Sequence, residues 1–78
     1  MKDKTVDLNA LPSGSSGIVR EVKGGRETVL KLESLGIRPG KKITKLSSHF
    51  WRGPVTIKVD KSKVAIGHGL AQKVFIEV

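Results

Sequence analysis

The sequence contains no cysteine and no tyrosine, and its aromatic residues are only Phe50, Trp51 and Phe75. Without cysteine, no disulfide can brace the fold and no thiolate can serve as nucleophile or metal ligand. Proline-rich ligands need a groove lined with aromatics, so so poor a supply argues against proline-motif recognition. Long apolar runs are missing too: none exceeds a few residues, where about 20 are needed to span a bilayer. Neither membrane insertion nor a secretory leader is expected, and a cytoplasmic domain is the default. Carboxylates are scarce, 7 against 15 lysines and arginines. They are scattered among basic neighbours, and only His49 and His68 titrate near neutrality when unperturbed. Catalysis is not expected.

What is present is cationic charge, and it is concentrated. Arg38, Lys41, Lys42, Lys45, Arg52, Lys58, Lys61 and Lys63 fall in one window whose sole anion is Asp60, so nearly all of the net +8 lies there. Such asymmetry suggests an acidic partner, a nucleic acid or an anionic membrane face; a solvated lysine surface is the plain alternative. The 78 residues make one domain, with residues 1–7 expected to be loose. A chain this short hides only about 60% of its unfolded surface on folding, so the core must be thin.

The clearest local pattern is Arg26 to Lys42. Val29, Leu32 and Leu35 recur at helical spacing beside Leu30, and Gly36 stands where a helix ends in a left-handed residue. On that reading Leu32 and Ile37 meet across a Schellman cap. Arg38-Pro39-Gly40-Lys41 then fits a type II turn, with proline at the second position and glycine at the third. Before the helix, Leu8 and Leu11 sit like two plugs on one turn, and Gly17 to Lys23 reads as a strand rich in β-branched residues. After it, Lys42 to Ser48 is a strand in which Ile43 and Leu46 fall on opposite faces unless a bulge or bend intervenes. Val55, Ile57 and Val59 alternate with Thr56 and Lys58. A turn over Asp60 to Lys63, a strand over Val64 to Gly67, a single turn at Gly67 to Gln72 and a strand from Val74 complete the chain. The class is mainly β: about five short strands with one helix inserted after the first, which suggests a small, strongly bent barrel closed to remove its edges.

Leu8-x-x-Leu11-Pro12-x-Gly14-x-x-Gly17-x-Val19, followed by Leu32-x-x-Leu35-Gly36-Ile37-x-Pro39-Gly40, resembles the FeoA family of ferrous-iron transport accessory proteins. Gly53-Pro54-Val55 and Ile66-Gly67-x-x-Leu70-Ala71-x-x-Val74-x-Ile76-x-Val78 extend the likeness from Leu8 to Val78. The resemblance implies an SH3-like barrel, related to one found in metal-dependent repressors, and a cytosolic protein that modulates a ferrous-iron transporter carrying a G domain. It implies location in the cytoplasm, at the inner membrane only through that partner, and leaves self-association open. The motif residues Leu32, Leu35, Gly36, Ile37, Pro39 and Gly40 are caps, turns and core, so what carries over is a fold and a partner.

For the contact surface, Phe50, Trp51 and Arg52 are the best candidates, because Trp and Arg concentrate binding energy and loops present them. Trp51 folding back to lid the barrel is the alternative. Lys41 and Lys42 would steer such a partner electrostatically. A metal site would have to draw on His49, His68 and carboxylates, without Cys or His-x-x-x-His spacing, so no resident cofactor is expected beyond an adventitious transition ion. Gly14-Ser15-Ser16-Gly17 lacks the fifth residue of a nucleophile elbow and the flanking helices of a nucleic-acid clamp, and reads as a strand-entry turn. A small basic nucleic-acid-binding barrel remains the second functional reading, favoured by charge but short of stacking aromatics.

Overall fold

The helix predicted over the central motif is present as α1, Arg26–Ser34, and ends as its sequence requires. The computed structural model describes residues 4–48 and 53–78. At the end of α1, the Gly36 N–H donates to Glu33 O and the Ile37 N–H to Leu32 O, both at 2.9 Å. Gly36 has φ +91°, and a Cβ there would press on Val59 Cγ1 at 3.2 Å as well as strain the backbone. Leu32 and Ile37 are both fully buried, so the cap pins the helix to the core while closing its last carbonyls. The Pro39-Gly40 turn follows, closed by the Lys41 N–H on Arg38 O at 3.1 Å.

The strands are β1 (Thr5–Asp7), β2 (Ser16–Val22), β3 (Lys42–Ser48), β4 (Val55–Val59), β5 (Ser62–Ile66) and β6 (Val74–Glu77), with a one-turn helix α2 (His68–Ala71) before the last. They form one antiparallel sheet in the order β1-β6-β2-β3-β4-β5. Sequence reading expects about five strands and a loose segment over 1–7. Thr5–Asp7 instead pairs with β6, Val6 opposite Ile76, and the Val78 N–H donates to Lys4 O at 2.9 Å. Three residues are too few to show a period in the sequence, so the pairing is visible only once the far end of the chain is in place.

The expected closure is also corrected. The fold is SH3-like, but the sheet stays open, with β1 and β5 as its edges. The segments that follow the two edges meet instead. The turn after β1 carries the Asn9 side-chain amide, which donates to His68 O at the start of α2 at 3.2 Å. Leu8, Leu11 and Ala71, from those same segments, are buried in the one core.

That core lines the inner face of the sheet: Val19, Ile43, Val55, Ile57, Val59, Ile66, Val74 and Ile76 all point to it. Val55, Ile57 and Val59 are at most 2% exposed while Thr56 and Lys58 face out, as the alternation predicts. The β4–β5 connection is tighter than expected. Asp60 and Lys61 alone make the turn, with Asp60 at φ +56°, so β5 begins at Ser62 rather than Val64. The conflict between Ile43 and Leu46 is met by a bulge, as the register skips from Lys45↔Ile57 to Ser47↔Thr56. Leu46 is the extra residue and stays partly exposed, while Lys45, in phase with Ile43 ahead of the bulge, faces inward.

Candidate functional site

Lys45 is only 3% exposed and points into the same interior as Ile43. Its ammonium donates to Leu8 O at 3.1 Å and to Asn9 O at 2.9 Å, so a cation from β3 ties down the turn that follows β1. Burial lowers its pKa from 10.5, and the nearby Asp7 carboxylate opposes the shift. Asp7 also accepts from the Ala10 N–H at 2.9 Å, which fixes the start of the same turn. Sequence reading counts Lys45 among the surface cations. The structure takes it out of that surface and makes it a structural bolt.

The remaining cations separate by partner. Lys41, half-buried after the Pro-Gly turn, holds both oxygens of Asp60 at 2.9–3.0 Å. It is thereby less free to guide a partner than the sequence suggests. Arg20, the extra residue in the β2–β6 register, pairs with Glu77 at 2.9 Å. Lys23 lies over the Phe75 ring, 4.9 Å from its centroid.

Lys42, Lys58 and Lys63 are exposed on the outer face and find no carboxylate among the described residues. Register places them together. Ser16, Thr44, Lys58 and Lys63 stand opposite one another across β2, β3, β4 and β5, and Ile18 stands opposite Lys42 in the next row. Ser16 and Thr44 hydroxyls hydrogen-bond at 2.7 Å, which stiffens the row where it crosses from β2 to β3. Lys42, Thr44 and Lys58 share with Asp60 an open groove of about 310 Å³. Its one carboxylate is already engaged by Lys41, so the groove presents positive charge.

A second groove, of about 410 Å³, lies beside edge strand β1, and its lining includes Lys4, Val6, Leu11, Pro12, Ser15 and Val78. His68 begins α2 and is half-buried. Among the described residues no three His, Asp or Glu side chains gather as a metal cage would require. His49, Phe50, Trp51 and Arg52, named from sequence as metal or contact candidates, lie outside the described residues. The outward row of Lys58 and Lys63 was not singled out from sequence. Its signal is the alternation of β4 combined with a two-residue turn, which sets the two lysines opposite each other.

These features define a class: a small, mainly antiparallel SH3-like domain with a basic outer face and a helix clipped on by a Schellman cap. The model of the FeoA domain matches residues 6–78, and the chain belongs to the FeoA family. A protein of Methanocaldococcus jannaschii that bears the provisional name Fe(2+) transport protein A is 36% identical over 64 residues, 82% of this chain and 76% of its own. A crystal structure of an iron uptake regulatory protein, FeoA, matches with a TM-score of 0.86 at 37% identity, covering 96% of this chain and 99% of that one. A manganese-dependent transcriptional repressor matches with a TM-score of 0.87 over 97% of this chain and 42% of its own. At 19% identity, that last likeness speaks for the fold alone.

Proposed function

We propose that this chain is a non-catalytic accessory protein of ferrous-iron uptake, which binds the cytosolic, G-domain-bearing part of a ferrous-iron transporter and needs no resident cofactor. The observation that carries this reading is family membership over residues 6–78, together with relatives named for Fe(2+) transport and iron uptake regulation. Physical features support it. The motif residues go into caps, turns and core, which leaves the surface as the working part. No helix among the described residues is long and apolar enough to cross a membrane, so on this reading the chain meets the membrane through its partner.

Phe50, Trp51 and Arg52 are the proposed anchors, on residue type. Lys42, exposed and unpaired by any described carboxylate, steers the encounter more than Lys41, which Asp60 already holds. Isothermal titration against the purified transporter or its G domain tests the reading. Binding should be measurable at tens of micromolar protein, which corresponds to a dissociation constant on the order of tens of micromolar or tighter. A packed interface Trp is commonly worth about 2 kcal/mol, so Trp51→Ala should weaken binding about thirtyfold. No binding at such concentrations removes the function. Full-strength binding by folded Trp51→Ala moves the anchor elsewhere.

A further inference from the structure

We propose that β5 and the lysine row leading to it accept an extended acidic segment of another protein, added as a further strand at the open edge of the sheet. The sheet ends at β5, and among the described residues no backbone hydrogen bond is made on the outer side of Ser62–Ile66. An extended chain can continue such an edge with its own N–H and C=O groups, and this is a recurring mode of peptide recognition. What selects the chain is charge. Lys63, on the edge, is directly opposite Lys58, and the row continues inward to Thr44 with Lys42 beside it. Like charges placed opposite each other on neighbouring strands work against the sheet, so the fold gains nothing from this pair.

A strand added beyond β5 sets every second side chain on that same outer face, in line with Lys63 and Lys58. Glu or Asp at those positions meets the row and relieves the repulsion. Ala65, the outward residue next along β5, is small and leaves the approach open. A second copy of this chain is disfavoured as occupant, since its own β5, Ser62–Ile66, carries no carboxylate to meet the row. Edge protection accounts for Lys61 and Lys63, but it does not account for Lys42 and Lys58, which lie on strands paired on both sides.

The inference does not depend on the transporter being the partner, and its test uses a synthetic probe. The probe is a ten-residue peptide of alternating Glu and Thr, titrated into the isotope-labelled full chain and followed by amide shifts. Expected are shifts centred on Ser62 to Ile66 that weaken with salt, and a loss of affinity of at least about tenfold in both Lys58→Glu and Lys63→Glu. A further peptide, N-methylated at every residue, separates strand addition from plain charge attraction. It keeps every carboxylate but offers no N–H to the edge in either direction, so it should fail to bind. Binding equal to that of the parent peptide overturns strand addition. Absence of binding at millimolar peptide overturns the site, and stronger binding by an oligothymidine through the same lysines assigns the face to nucleic acid instead. Peptide binding without any binding of the transporter would uphold this inference while the proposed function falls.

Discussion

Lys42 and Lys45 stand on one strand and lead opposite lives. Lys42 is exposed on the outer face, in a groove with Lys58 and without a described carboxylate partner. Lys45, three positions on, is buried and clamps the carbonyls of Leu8 and Asn9. Each counts as one positive charge in the sequence, yet one belongs to the surface field and the other to the core. The difference arises because a strand sends odd and even positions to opposite faces. A lysine facing inward survives only when its ammonium finds acceptors, and the turn after β1 supplies two. Charge counted along a chain therefore overstates the charge a partner meets.

The contrast between the faces can be broken most severely one strand over. Ile57 is fully buried opposite Lys45, whereas its neighbour Lys58 faces solvent. Ile57→Asp places a carboxylate in an apolar interior whose one buried cation among the described residues, Lys45, is already held by Leu8 O and Asn9 O, at a cost of about 3 kcal/mol or more. With a core this thin, that should abolish cooperative unfolding in a urea titration followed by circular dichroism. Lys58→Asp should shift the midpoint by no more than about 0.5 kcal/mol equivalent. Equal effects at the two positions would show that the two faces are not distinct.

How much of this was legible beforehand depended on distance along the chain. The α1 cap, the Pro39-Gly40 turn and the alternation of β4 are written within a few residues, and the structure reproduces them. The β1 strand is three residues whose partners lie at the other end of the chain, so no local pattern announces it. The open sheet is likewise a property of which strands pair, not of any strand. For Lys45 the sequence did hold a clue, the clash of phase between Ile43 and Leu46. Choosing which of the two strand halves faces inward required the acceptors, and Leu8 is 37 residues away. The lysine row needed the β4–β5 register, fixed by a two-residue turn that sequence reading made longer.

Lys45→Met sharpens the comparison by keeping length and apolar stem while removing the ammonium. It deletes two charge-assisted hydrogen bonds and leaves two carbonyls to find other donors, a loss of about 1–3 kcal/mol at neutral pH. The pH dependence carries a definite sign. Because burial holds the folded-state pKa below 10.5, the unfolded chain carries more protons between that lowered value and 10.5. Stability from this group therefore rises with pH across that window and is level beyond it. The methionine variant lacks the titration, so the gap between the two proteins should widen as pH approaches 10.5. Paired urea midpoints at neutral pH and near 10.5 measure it. A gap that narrows instead would mean that the carbonyls and Asp7 favour the ammonium more than burial disfavours it.

The smallest expected effect is the one that best separates stability from function on the outer face. Lys58 and Lys63 stand directly opposite across β4 and β5, and both are exposed. Lys58→Glu exchanges a repulsive cross-strand pair for an attractive one. Such exposed pairs contribute about 0.2–1 kcal/mol, so the variant should unfold at slightly higher urea than the wild type. Raising salt should shrink that gain, because both charges are in water. If the lysine row exists to hold an acidic strand, the same substitution must cost binding of the alternating Glu-Thr peptide while it improves the fold. A variant that is both less stable and less able to bind would leave the binding loss open to a structural cause. One that is more stable and binds unchanged would make the row a solvated surface with no ligand. Gain in stability together with loss of binding is the outcome that only a functional row produces.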